Sequence, residues 1–214
     1  MRYYPVNLDL AGRPCAVIGG GSVAERKVAA LRDAGAKVTV ISPAVTAGLE
    51  RMAAAGEIAL VRRPYQPGDL AGFFLAVAAA SDPEANRQAA REARARQVLI
   101  NVADTPELCD FTVPAQMVRG ELLLTVSTGG KSPALARCIR EELMDFYGPE
   151  FGLFLDALAA IRAGAKAKPG TPGDREEIWR QALDRKALDL VRAGRLGEAE
   201  ARVKDAVGRF GIKS

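Results

Sequence analysis

The chain contains no histidine, which removes Ser-His and Cys-His nucleophile pairs and every imidazole-ligated metal centre. Acid–base chemistry then falls to Asp, Glu, Lys, Tyr or Cys. Cysteine is scarce as well: Cys15, Cys109 and Cys138 are odd in number, widely spaced and form no Cys-x-x-Cys pair. Neither a disulfide framework nor a thiolate zinc site is expected, a reducing compartment fits best, and no residue is assigned as a metal ligand. Aromatics make up only 6% of the 214 residues, and no stacking platform with basic neighbours is visible, so nucleic acid is not an expected partner. No apolar run approaches the ~18 residues of a membrane span, and Met1-Arg2-Tyr3-Tyr4-Pro5 lacks the apolar stretch of a signal peptide. The expectation is a cytoplasmic protein with no membrane partner. The net charge of +4 comes from 30 basic residues interspersed with 26 acidic ones, a mild balance that suits a small anionic ligand at least as well as a duplex.

From Arg13 to Val102, short apolar runs alternate with longer Ala/Arg/Glu-rich ones, the pattern of a parallel sheet covered on both faces. Strands are expected at Cys15–Ile18, Lys37–Ile41, Ile58–Val61, Phe73–Ala78 and Val98–Val102, with helices at Val23–Ala34, Val45–Ala55 and Pro83–Arg96. Ser81 and Asp82 offer N-cap oxygens ahead of Pro83. After Pro114 the pattern changes: Gln116–Val118 and Glu121–Val126 flank Arg119-Gly120 as a hairpin. Ser132-Pro133 then opens a helix ending near Phe146, before Gly148-Pro149. Gly164–Gly173 is expected to be an exposed linker followed by two amphipathic helices, the second with Leu196, Ala199, Val203, Ala206 and Phe210 on its packed face. The fold class is therefore α/β: a Rossmann-type domain over 1–113, a small α+β region over 114–150 and a C-terminal helical domain over 151–214.

The first strand runs into Gly19-Gly20-Gly21-Ser22-Val23-Ala24, a Gly-x-Gly-x-x-Ala fingerprint between a strand and a helix. Gly19 permits the tight turn, Gly21 lets backbone approach a pyrophosphate, and Ala24 keeps the helix near the strand. The free N–H groups at Ser22 and Val23 would then meet the phosphates. An ordinary βα turn that happens to use glycine is the competing reading. The second strand ends in Ser42-Pro43-Ala44, where an Asp or Glu normally holds the adenosine ribose, so Ser42 or the backbone of Pro43 and Ala44 must take that contact. The missing carboxylate blurs the choice between NAD and NADP; since no arginine follows Ser42 directly, NAD is the expected cofactor.

Ligands of open α/β sheets sit beyond the carboxyl ends of the strands, which brings Ala103-Asp104-Thr105-Pro106 to the cofactor's border. Without histidine, a carboxylate at a strand end is the best available general base. Asp104 is the catalytic candidate, against the plainer role of a turn residue before proline. Asp82 and Asp110 are alternatives, the first placed like a cap, the second nearer the exit from the sheet. Farther on, Ser127, Thr128, Gly129, Gly130 and Lys131 lie just ahead of a helix N-terminus. Exposed N–H groups, the helix dipole and Lys131 form an anion-binding arrangement, to which Arg137 and Arg140 could add bidentate contacts. A flexible loop with a good cap is the alternative. The Gly-x-x-x-x-Gly-Lys-Ser/Thr spacing of a P-loop is absent.

With these elements in hand, the chain resembles the precorrin-2 dehydrogenase/sirohydrochlorin ferrochelatase family, including the N-terminal half of siroheme synthases. The resemblance runs through Tyr4-Pro5-Val6, Val17–Lys27, Asn101-Val102-Ala103-Asp104, Phe111-Thr112-Val113-Pro114 and Ser127–Arg137. It implies NAD-dependent oxidation of precorrin-2 to sirohydrochlorin, with Asp104 in the position of the catalytic aspartate and a homodimer built from the region after Pro114. The implied substrate is a reduced tetrapyrrole with eight carboxylates, bound by Asn101, Ser127, Thr128, Gly129, Gly130, Lys131 and Arg137. Many members of this family also insert Fe2+ into sirohydrochlorin, for which Asp104 could serve again. A regulatory module that binds NAD without turning it over is the rival from another class; such a sensor would need neither Asp104 nor the Ser127–Arg137 loop.

Overall fold

A computed structural model of the chain describes residues 3–164 and 172–209. In chain order the elements are β1 (Pro14–Ile18), α1 (Ser22–Asp33), β2 (Lys37–Ile41), α2 (Ala47–Ala54), β3 (Ala59–Val61), β4 (Leu75–Ala78), α3 (Pro83–Arg96) and β5 (Leu99–Val102). A 3-10 turn (Pro106–Leu108) follows. After it come β6 (Ala115–Arg119), β7 (Leu122–Val126), α4 (Pro133–Phe146), α5 (Glu150–Gly164), α6 (Pro172–Ala182), α7 (Arg185–Arg192) and α8 (Leu196–Arg209). They form two compact units, Met1–Val113 and Pro114–Ser214.

In the first unit, five parallel strands run in the order β3-β2-β1-β4-β5. Val17 of β1 stands between Val40 of β2 and Val77 of β4. Strands as apolar as β1 and β4, whose residues after Pro14 are all apolar and buried, are stable only when both faces are covered. One face sets Ala16, Ile18, Ala76, Ala78, Ile100 and Val102 against Ala89, Ala90 and Ala93 of α3. The other sets Cys15, Val17, Val38, Val40, Leu75 and Val77 against Ala24 and Val28 of α1 and Leu49 of α2. Each fully buried Val or Leu contributes roughly 1.5–3 kcal/mol, and alanine at the helix contacts lets the two layers close. Chain order reverses between β1 and β4, so the carboxyl ends of these two strands form the switch point where open α/β sheets hold ligands.

In the second unit, β6 and β7 form an antiparallel hairpin with Val118 opposite Leu123 and Met117 opposite Leu124. Gly120 closes it at a φ of 56°, a left-handed backbone that favours glycine. Phe151, Phe154 and Ile161 of α5 share one core with Ala187 and Val191 of α7 and with Ala199, Val203 and Val207 of α8. Leu196 and Ala206 pack at its margin, in keeping with the expected stripe; Phe210 lies outside the described residues.

Three helices, not two, follow the expected linker. The sequence reading misses the boundary between α6 and α7 because no Gly or Pro marks it. The signal is Asp184, whose side chain accepts from the Ala187 N–H at 2.9 Å and restarts the helix. Both ends of the expected linker are helical, since Gly164 still belongs to α5 and Pro172 and Gly173 belong to α6; residues 165–171 lie outside the described part. The strand at 73–78 begins two residues late, although Phe74 still donates to Pro14 and accepts from Leu99. No described helix is long and apolar enough to cross a membrane.

Candidate functional site

The fingerprint glycines occupy the turn from β1 into α1. Gly19 has a φ of 113°, and a Cβ there would stand 2.3 Å from the Ala79 carbonyl oxygen, so only glycine fits beside the end of β4. Gly20 fills the first x position of the fingerprint, to which the sequence reading gives no role, yet a Cβ on it would meet the Ala44 carbonyl oxygen at 2.1 Å. The loop after β2 rests directly on this backbone, and the Thr46 N–H donates to the Gly20 carbonyl at 2.9 Å. The signal was available in the run of three consecutive glycines.

Gly21 is different. Its φ of −79° and ψ of −175° suit any residue, and nothing lies within 4 Å of where its Cβ would be. The protein's own packing gives no reason for glycine here. Gly21 is also the N-cap of α1 and supplies no side-chain hydrogen bond. By contrast α2, α3, α4 and α7 are capped by the side chains of Thr46, Asp82, Ser132 and Asp184. The N–H groups at Ser22 and Val23 therefore face an open position at the positive end of a helix dipole, an arrangement that fits an anion. Ala24 is fully buried, as close helix–sheet packing requires.

Ser42, at the end of β2, is buried, and its hydroxyl donates to the Ala44 carbonyl at 2.7 Å. Its proton is committed to the turn; only its lone pairs remain to meet a ribose hydroxyl. Pro43 and Ala44 are exposed.

Asp104 follows β5, two strands from β1 in the same sheet, or about 10 Å across. It is exposed, and among the described residues its carboxylate has no hydrogen-bond or ion-pair partner. Its backbone is left-handed, φ 57°, one of two non-glycine residues so placed among the described residues; aspartate tolerates this region better than most side chains. The competing carboxylates are both engaged. Asp82 caps α3 by accepting from the Glu84 N–H at 2.9 Å, and Asp110 accepts from the Ile100 N–H at 3.1 Å. Asn101, expected as a substrate contact, is buried, and its amide donates to the Phe111 carbonyl at 3.0 Å.

In the second unit, Ser127–Lys131 leads into α4 as expected, but much of its hydrogen-bonding capacity is used internally. Ser132 Oγ accepts from the Leu135 N–H at 3.2 Å, while Thr128 Oγ1 accepts from the Ser132 N–H and lies 3.1 Å from its carbonyl. Ser127 Oγ accepts from the Gly129 N–H at 3.2 Å. What remains for a ligand is charge: Lys131 and Arg137 are exposed. Arg140 is instead half-buried and pairs with Glu141 at 2.8 Å.

Comparisons with known proteins follow the same partition. Residues 6–115 match a family described as "Putative NAD(P)-binding", residues 119–145 one described as "Sirohaem biosynthesis protein central", and residues 150–207 one described as "Sirohaem synthase dimerisation region". The chain is 40% identical over 179 residues to a siroheme synthase of Methylobacillus flagellatus, covering 84% of this chain and 38% of that protein. It is 38% identical over 200 residues to a siroheme synthase of Methylococcus capsulatus, covering 94% and 42%. The chain thus spans about two fifths of the length of these curated relatives. Among solved structures it resembles one titled "SirC, precorrin-2 dehydrogenase", with a TM-score of 0.74 and 27% identity, over 94% of this chain and 100% of that one.

Proposed function

Since the chain belongs to the NAD(P)-binding family of siroheme biosynthesis proteins, we propose that it oxidises precorrin-2 to sirohydrochlorin with NAD+ in the cytoplasm. The observation that carries this reading is the pair of groups at the carboxyl edge of one sheet, an α1 N-terminus without a side-chain cap and a carboxylate without a partner among the described residues. A module that only senses the dinucleotide would use the first and not the second.

The backbone amides of Ser22 and Val23 would hold the pyrophosphate, with Gly19 and Gly20 keeping the turn tight and Gly21 leaving room for it. A nicotinamide dinucleotide held there would supply the hydride acceptor. Asp104 takes the accompanying proton on a carboxylate oxygen, so that the substrate loses two hydrogens as hydride and proton. NAD rather than NADP is favoured by Ser42–Ala47, which contains no Arg or Lys to meet a 2′-phosphate. The lone pairs of Ser42 and the exposed backbone of Pro43 and Ala44 are the available ribose contacts. Lys131 and Arg137, with the Gly130 amide and the Ser127 hydroxyl hydrogen, would receive carboxylates of the tetrapyrrole, while Thr128 and Gly129, whose donors are spent inside the loop, would shape it. When Fe2+ is the substrate, the same Asp104 oxygen would receive the pyrrole protons that insertion releases. A homodimer is supported by Val118 and Leu123, apolar partners across the hairpin that are both exposed; the mass of the protein in solution checks it.

Anaerobic incubation with precorrin-2 and NAD+ or NADP+, followed by reduced-nucleotide absorbance and the sirohydrochlorin spectrum, tests the proposal. Turnover with NAD+ is expected, and Asp104→Ala should lower it by about 100-fold or more while NAD affinity stays within about twofold. Dinucleotide binding without turnover would favour the sensor, and full activity in Asp104→Ala would remove the catalytic assignment.

A further inference from the structure

Asp104 sits on a tight turn whose first and last residues are bonded, the Thr105 N–H donating to the Val102 carbonyl at 3.4 Å. Such a turn, entered from a buried strand and left through the 3-10 segment, has nothing of its own to fix the direction of an exposed side chain. A sulfur atom provides the constraint. Cys109 Sγ accepts from the Val102 N–H at 3.1 Å and stands 3.2 Å from the Val102 carbonyl oxygen and 3.4 Å from that of Thr105. The thiol therefore touches both residues that close the turn, one on each side of Asp104.

Two neighbouring side chains complete the clamp. Asn101 Nδ2 lies 3.6 Å from the same sulfur and donates to the Phe111 carbonyl. Asp110 is tied to Ile100 twice, its N–H donating to the Ile100 carbonyl at 2.8 Å and its carboxylate accepting the Ile100 N–H. The segment leaving the turn is thereby anchored back onto β5, with Cys109 half-buried inside the loop. A left-handed aspartate persists only where its surroundings over-determine it, and Cys109 is the side chain here that reaches both flanks of the turn.

We propose that Cys109 is a positioning residue for Asp104, holding the turn that aims the carboxylate; this rests on Asp104 being the base. Sulfur suits the role because it is large enough to bridge the two ends of the turn and can both accept from one and donate to the other. Its single hydrogen is shared between the Val102 and Thr105 carbonyls while its lone pair accepts the Val102 N–H, so all three contacts are spent on the turn.

The test is a double-mutant cycle on the full chain with Cys109→Ala, Cys109→Ser and Asp104→Ala, reading kcat and KM for precorrin-2, the acid limb of the pH–rate profile, and NAD affinity. Cys109→Ala should lower kcat about tenfold, shift the acid limb and leave NAD affinity within about twofold. Cys109→Ser, which keeps a donor and an acceptor, should recover most of kcat. In the Asp104→Ala background, Cys109→Ala should cost nothing more, because the two act through one group. Wild-type kcat and pH profile in Cys109→Ala, or a loss that is additive with Asp104→Ala, would overturn the positioning role while leaving Asp104 as base. Full activity in Asp104→Ala would instead remove the base assignment itself, and the positioning role with it.

Discussion

Helices α1 and α4 both begin behind glycines at the end of a strand, but their N-termini are in opposite states. At α4 the orphan N–H groups are met from within: Ser132 caps the first turn and Thr128 braces Ser132. At α1 the capping position is a glycine with no side-chain bond and open space before it. An orphan N–H either finds a partner in the chain or waits for one from outside. The difference teaches that a glycine–hydroxyl loop ahead of a helix is not in itself a ligand site; what matters is whether the loop's own oxygens have already answered the helix.

The sharpest way to break that comparison is to give α1 the cap it lacks. Gly21 already has the extended backbone of a capping residue, and a side chain there meets nothing within 4 Å. Gly21→Asp should thus leave the unliganded fold intact, or raise its stability by a few tenths of a kcal/mol, while placing a negative charge where the pyrophosphate would lie. NAD affinity is expected to fall by at least about 100-fold, or roughly 2.7 kcal/mol. Calorimetric titration together with a thermal melt reads both signs. A variant that melts lower and still binds would mean that α1 does not use this opening for the dinucleotide.

Much of the first unit was legible because its signals are local and redundant. Lys37–Ile41 and Pro83–Arg96 begin and end where periodicity and the Asp82 cap place them. Asp104 could be singled out by elimination, because the chain has no histidine and the residue follows a strand. What was not legible is how polar side chains are spent. Nothing in the spelling of Asn101 says that its amide holds Phe111, or that Ser42 donates to Ala44, since those contacts depend on where the backbone turns afterwards. The same holds for Cys109, whose partners lie seven and four residues back in the chain and match no spacing rule. In the second unit the boundary at Asp184 was lost because one capping carboxylate must compete with an otherwise continuous helical pattern.

A filled terminus makes a milder prediction. Ser132→Ala removes the α4 cap and should lower stability by about 1 kcal/mol, seen as a shift in the denaturation midpoint, with NAD affinity unchanged. Lys131→Ala should do the reverse for the tetrapyrrole, raising KM several-fold without moving the melt, because its ammonium is exposed and its role would be attraction alone. If Ser132→Ala left stability untouched and instead weakened the substrate, the hydroxyl would be a ligand and the contrast with α1 would dissolve.

Helix α7 supplies the third state, a terminus capped by a charge. Asp184 accepts from the Ala187 N–H and pairs with Arg202 of α8, and these partners, the guanidinium first, hold its carboxyl down at about 2 against an ordinary 3.8. A depressed carboxylate contributes stability above its unfolded pKa, and that contribution is lost as pH falls from about 4 through 2. More than a third of each side chain is exposed, so solvent screens the pair, and the loss should be no more than about 1 kcal/mol. Asp184→Asn keeps an oxygen for the Ala187 N–H but removes the charge. Its melting temperature should therefore lie slightly below wild type at pH 6, and the gap should close as the wild-type carboxylate protonates near pH 2. Ser132→Ala, whose hydroxyl does not titrate, should keep a constant offset over the same range. A gap for Asp184→Asn that stayed constant with pH would mean that the oxygen alone caps α7 and that the ion pair with Arg202 adds nothing.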